Sequence, residues 1–290
     1  MDTLFVLLQH LLPQHLLSRI TGWLAENRTP WLKNLLIERF AAHFNVDMSE
    51  AAEPDLRGYE NFNAFFTRPL RPDARPVSAA SGKVLSPADG AISQLGNIEH
   101  GRIFQAKGQG FNVEELLGGD SARAEVFKDG AFATIYLSPR DYHRVHMPLD
   151  GELTAETYIP GELYSVNQTT AENVQRLFAR NERLVCYFDT PAGPMAMVLV
   201  GAMIVAGIET VWGGQVAPPP RTPLTVDYRQ TPSSVELQQS QEMGRFKLGS
   251  TVILLFPGQA VTWESELQAN TALRLNQVIA TMHSSAADGQ

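Results

Sequence analysis

Cysteine is nearly missing from this chain: Cys186 is the single one in 290 residues. One thiol excludes an internal disulfide and a thiolate metal cluster, and it suits a reducing compartment. Its setting, Leu184-Val185-Cys186-Tyr187-Phe188, reads as a buried strand in which the thiol is a small core residue. Positive charge is also short, with 23 Lys and Arg against 31 Asp and Glu, a net of −8. That balance argues against nucleic acid as the main partner. No stretch reaches the roughly 18 uninterrupted apolar residues that a spanning helix needs. The apolar N-terminus has Asp2 but no basic leader and no small-residue cleavage site, so no secretory signal is expected. Phosphate loops and internal repeats are absent as well.

What is present is an ordinary globular composition, 44% hydrophobic and 19% charged. Residues 3 to 44 read as three greasy helices. The first holds Leu4 to Leu12 and stops at Pro13; the second runs from Leu16 to about Glu26. The third opens at Thr29-Pro30, an N-cap followed by a first-turn proline, and carries Trp31, Leu35, Phe40 and Phe44. Up to residue 44, Arg19, Arg28, Lys33 and Arg39 exceed Asp2, Glu26 and Glu38 by one. Such a segment is either a cap packed on the core or an interfacial helix pair with Trp23 and Trp31 at headgroup level.

A polar connector follows over residues 45 to 80, anchored by Phe62, Phe65 and Phe66 and ending in a Pro/Arg-rich loop through Arg68 and Arg75. Beyond residue 83, short apolar runs alternate with Gly, Pro, Asn and Asp. Strands are predicted at 84–85, 91–92, 131–137, 184–188, 195–200, 203–208 and 252–256, with short helices at 112–117 and 173–179. The proline-rich stretch 217–234 reads as an exposed loop. The expected fold is α+β: a β-rich barrel or sandwich core with small helical insertions, residues 61–290, behind an N-terminal helical membrane-associating region, residues 1–60.

Three places could carry chemistry. Asp89 lies in the tight turn Ser86-Pro87-Ala88-Asp89-Gly90, where a turn-capping aspartate is equally at home. His143 and His146 stand three apart in Tyr142-His143-Arg144-Val145-His146-Met147-Pro148, a metal spacing on a helix. Nearby prolines oppose a long helix, however, and no third ligand lies close, so no metal is expected. Gly249-Ser250-Thr251 precedes the apolar run Val252 to Phe256. Glycine gives the backbone freedom for the Ser250 hydroxyl to swing onto the preceding carbonyl. Ester formation, elimination and hydrolysis there would cut the chain and leave a pyruvoyl ketone. Acid, base and hydroxyl together make an activated nucleophile, though sequence alone does not bring them together.

These segments resemble the bacterial phosphatidylserine decarboxylases. The resemblance rests on Gln241 to Thr251, Tyr142 to Pro148, Ser86 to Gly90, Ile159 to Asn167, Asn181-Glu182-Arg183, Val200-Gly201-Ala202 and Phe65-Phe66-Thr67-Arg68, in family order. It implies autocatalytic cleavage at Gly249-Ser250 into a β chain of residues 1–249 and an α chain of residues 250–290. The pyruvoyl cofactor would be made from Ser250. By the same resemblance, Asp89 and His146 form the pair that activates Ser250, and His143 acts in decarboxylation as a proton donor or positioning group. The substrate would be phosphatidylserine in a bilayer, reached by peripheral association with the cytoplasmic side of the cell membrane. The α and β chains would stay together and pair as a homodimer of protomers. Arg68, Lys107 and Arg144 are candidates for the substrate phosphate.

Two rivals use the same residues differently. A serine hydrolase would use Asp89, His146 and Ser250 on an external ester, but the Gly-x-Ser-x-Gly elbow is missing. A non-enzymatic β-sandwich with a membrane-associating helix is the other.

Overall fold

The computed structural model describes residues 14–77, 81–105, 109–202, 207–216, 221–231, 234–247 and 250–283. The apolar runs form the middle of one large antiparallel sheet. From edge to edge it runs β12 (Leu224–Asp227), β7 (Gly151–Ile159), β8 (Arg183–Thr190), β9 (Gly193–Gly201), β15 (Ser250–Phe256), β5 (Ala131–Leu137), β2 (Gly90–Asn97) and β17 (Ala272–Leu273). The short β13 (Glu236–Leu237) also pairs with β7. A four-stranded sheet has the order β11 (Gly214–Gln215), β10 (Gly207–Thr210), β14 (Glu242–Lys247), β6 (Arg144–His146). A three-stranded sheet joins β1 (Lys83–Leu85), β18 (Val278–Met282) and β16 (Val261–Trp263), and β3 (Arg102–Phe104) pairs with β4 (Gly110–Asn112).

Strand periodicity explains why the central runs are apolar without a break. Val252, Leu254 and Phe256 share one core with Leu184, Cys186 and Phe188, closed by Val145, Met243 and Phe246 of the four-stranded sheet. Ile253 and Leu255 point the other way, into a second core with Val185, Val198, Phe111, Leu116 and Phe178. Both faces are covered, so neither needs polar residues. Cys186 is fully buried, as a core residue would be.

The result is layered. Among the described residues the large sheet does not close: β12 lies along one edge with all four of its residues exposed. The barrel alternative is therefore wrong, and the β-rich α+β reading stands. Two further corrections are local. The helix expected at 173–179 is instead two short ones, Gln168–Asn173 and Leu177–Arg180, separated where Val174 turns extended and Arg176 takes φ 55°. The stretch expected to be a loop, 217–234, contributes β12, whose partner β7 went unrecognised because Gly151–Ile159 mixes Glu and Thr among its apolar residues. Of the strand expected at 203–208, residues 203–206 lie outside the described residues, as does the first predicted helix.

The second and third helices are Gln14–Ala25 and Pro30–Phe44. Pro30 opens the latter as expected, but the Thr29 side chain makes no capping bond. Ala25, Ile37 and Ala41 pack on Tyr59, Phe62, Phe65 and Phe66, so this pair sits on the short helix Phe62–Phe66. Trp23 and Trp31 remain 68% and 69% exposed on the outside. No helix among the described residues is long and apolar enough to cross a membrane.

Candidate active site

Ser250 opens β15, with Leu137 opposite it on β5 and Gly201 opposite it on β9. By strand alternation its side chain shares the face of Val252 and Leu254, the face covered by β6 and β14. Its hydroxyl is fully buried and has no hydrogen-bond partner among the described residues. Leu248 and Gly249 lie outside the described residues.

Beyond Leu137 the chain turns. The Asp141 carboxylate accepts from the Ser138 N–H and hydroxyl, both at 2.7 Å, and this closed turn delivers Tyr142 and His143. Burial raises the Asp141 pKa against those two bonds. His143 is fully buried, with Nδ1 2.9 Å from the Asp141 carbonyl and its ring 4.0 Å from that of Phe66. Burial pushes its pKa down to about 3, with Arg68 adding to the effect and the Asp141 contact opposing it. The imidazole is thus neutral. A carbonyl only accepts, so the proton belongs to Nδ1, and Nε2 is left with a lone pair and no partner among the described residues.

His146 differs. Its Nδ1 is 2.7 Å from the Ser240 carbonyl, and its Nε2 lies 3.2 Å from the Tyr142 hydroxyl. Burial lowers its pKa, the Ser240 contact partly offsetting this, while burial pushes Tyr142 up to about 12. Both ring nitrogens are occupied. Extended backbone from His143 into β6 also sends the two rings to opposite sides, so their spacing makes no shared ligand face. Among the described residues no group of three metal-ligating side chains gathers.

Asp89 is held by Arg75. Nε donates to Oδ1 at 2.8 Å and Nη2 to Oδ2 at 2.5 Å, while the Leu275 N–H adds a bond at 2.8 Å. Arg75 reaches Glu50 as well, and Asp89 foremost raises its pKa. The turn itself needs Gly90, where a Cβ would come within 2.3 Å of the Tyr136 carbonyl. The Pro87 carbonyl accepts the His146 N–H at 2.8 Å, which stitches the turn to β6. Register places Ala91 opposite Tyr136 and Tyr136 opposite Thr251. Asp89 and Ser250 therefore share one end of the sheet, two strand spacings or about 10 Å apart in backbone. Asp89, His146 and Ser250 make no direct hydrogen bond to one another among the described residues.

Two cavities flank this end. A polar one of about 550 Å³ is lined by Arg68, Arg75, Asp89, Tyr136, Ser138 and Tyr142. An apolar one of about 1150 Å³ lies under the helix pair, lined by Leu24, Leu36, Phe40, Phe62, Phe66 and Pro139. Sequence reasoning missed Arg75 as a partner of Asp89; the only signal was its place in the Pro/Arg-rich loop. Of the phosphate candidates, Arg144 is bound to Glu242 and the Thr67 carbonyl, and Lys107 lies outside the described residues.

Residues 62–281 match the phosphatidylserine decarboxylase family profile, and residues 4–45 match a second profile described as PSD. A phosphatidylserine decarboxylase proenzyme of Azotobacter vinelandii is 62% identical over 279 residues, covering 96% of this chain and 98% of the relative. One of the same description from Ectopseudomonas mendocina is 60% identical, over 95% of this chain and 97% of its own. Another, from Pseudomonas putida, is 60% identical over 96% and 97%. The chain belongs to the phosphatidylserine decarboxylase family.

Proposed function

We propose that this chain is a proenzyme that cuts itself between Gly249 and Ser250 and then decarboxylates phosphatidylserine to phosphatidylethanolamine. The observation that carries the reading is the Ser250 hydroxyl, buried without a partner among the described residues at the head of a central strand. A buried polar atom left unpaired costs stability, and an unpaired hydroxyl is free for chemistry. A pyruvoyl group made from Ser250 would supply the electron sink that a departing carboxylate needs.

The chain's own residues bind, orient and move protons. By family resemblance Asp89 and His146 activate Ser250; what supports this is the Pro87–His146 stitch and the shared sheet end. His143 is a poor base for the Ser250 proton, because burial holds its pKa near 3; by the same resemblance it serves the later step, as a proton donor or positioning group at the reacting carbon. An external-ester hydrolase fits poorly, because Ser250 is fully buried and opens a strand.

On this reading the enzyme works as a peripheral protein at the cytoplasmic surface of the cell membrane, with the helix pair as its contact. Exposed Trp23 and Trp31 support this, as does the apolar cavity that ends at Phe66, whose ring packs on His143. Intact mass decides the central claim. The mature protein yields a C-terminal piece of 41 residues (290 − 250 + 1) that reacts with a ketone-trapping amine, and Ser250→Ala stays whole at 32.0 kDa. Active protein that is uncut at this bond overturns the proposal.

A further inference from the structure

Two arginines are equally buried in opposite surroundings. Arg183 is 2% exposed and fully engaged: Nε, Nη1 and Nη2 donate to the carbonyls of Leu116, Asn181 and Glu115, each at 2.7 Å. Arg68 is 3% exposed, yet among the described residues its one hydrogen bond runs from Nη2 to the Arg140 carbonyl at 3.1 Å; Nε meets no acceptor, and the guanidinium otherwise lies 5.6 Å from the centre of the Phe65 ring. Nearby carboxylates have other partners. Arg75 holds Asp89 and Glu50, Arg274 also reaches Glu50, Ser138 holds Asp141, and Asp47 accepts from the Ser49 N–H. Burial disfavours the Arg68 charge. A cation kept in such a place calls for an anion supplied from outside the chain.

The position fits a substrate. Arg68 lines the 550 Å³ cavity beside Tyr136, whose strand neighbour is Thr251, next to Ser250. Two residues before it, Phe66 packs against His143.

We propose that Arg68 is the phosphate-recognition residue, holding the phosphodiester of a serine phospholipid while the serine amine reaches residue 250. This rests on the decarboxylase reading. The substrate brings two anions, and chemistry separates them. The serine carboxylate departs as neutral carbon dioxide, so a buried cation on it stabilises the starting state and opposes its loss. The phosphodiester keeps its charge from binding to release, and a planar guanidinium matches it with two parallel N–H bonds.

The test titrates two soluble headgroups, glycerophosphoserine and glycerophosphoethanolamine, into wild type, Arg68→Gln and Arg68→Lys by calorimetry. Losing a charged hydrogen bond weakens binding about 10- to 100-fold. Arg68→Gln is expected to weaken both headgroups by that factor and equally, with Arg68→Lys in between. KM for phosphatidylserine rises in parallel while kcat stays within about threefold, the mark of binding energy used equally in ground and transition states. Unchanged glycerophosphoethanolamine binding with weakened glycerophosphoserine binding overturns the proposal in favour of a carboxylate contact. Unchanged binding of both also overturns it. Should Arg68→Gln fail to fold, Arg68→Lys alone decides, because it keeps charge and stem but loses the fork; full affinity for both headgroups sinks the idea. Failure of the decarboxylase reading looks different: wild type binds both headgroups through Arg68 yet stays uncut and inert.

Discussion

Two clusters meet at the end of the large sheet where Ser250 begins, and they treat polar atoms in opposite ways. Around Asp89 the charged groups are matched: Arg75, Glu50 and the Leu275 amide close a network in which each answers another. The Ser250 hydroxyl, His143 Nε2 and Arg68 Nε, by contrast, are buried with no hydrogen-bond partner among the described residues. Proteins rarely tolerate such atoms where nothing is to be bound or transformed. The difference separates a cluster whose charges are fixed in place from one whose polar atoms are open to a partner.

The sharpest way to break this contrast is to remove the two histidines separately. His146→Ala is expected to slow self-cleavage by at least about a hundredfold, the usual weight of a general base, whereas His143→Ala slows cleavage less and decarboxylation more. Cleavage followed by mass over time reads both, and the reverse ranking moves the base to His143. Next in size is the framework. Arg75→Met leaves the buried Asp89 carboxylate without its cation and Glu50 with Arg274 alone, and is expected to cost about 3 kcal/mol of stability in denaturant unfolding. A cost below about 1 kcal/mol would mean that the network is ornamental.

A smaller effect follows from protonation. The folded pKa of His143, near 3, lies below its ordinary value of 6.5. Between those values the unfolded chain binds a proton that the folded chain refuses, so stability is present above pH 6.5 and falls as pH drops. The slope is about 1.4 kcal/mol per pH unit for one histidine, and His146 adds in the same direction. His143→Gln should remove about one proton's worth of that slope; an unaltered slope would show that the ring is not shielded. Smallest is the outer surface, where Trp23→Ala with Trp31→Ala is expected to weaken sedimentation with anionic vesicles about tenfold and leave self-cleavage intact. Undiminished sedimentation removes the helix pair as the membrane contact.

Much of the framework could be read from residues, and the reasons are physical. Strands β5, β8, β9 and β15 are continuous apolar runs because both faces are covered, and such runs need no knowledge of neighbours. Pro30 marked its helix start for the same local reason. β7 escaped because its pattern of Glu and Thr among apolar residues has meaning only beside its partners. At the site, residue types were legible but pairings were not. That Arg75 answers Asp89 across 14 residues, and that His146 turns to Ser240 across 94, depends on tertiary approach and leaves no local trace.

The place of β15 has a consequence for a chain severed at its first residue. Seven cross-strand positions tie it to β5 and six to β9, and downstream segments complete the edge at β17 and the small sheet with β1. The released fragment is therefore woven through the fabric on several sides, and it cannot drift off without ruin of the whole. Its fresh terminus would sit on a strand clasped from both sides, so a reactive carbonyl carried there would be aimed by the weave itself.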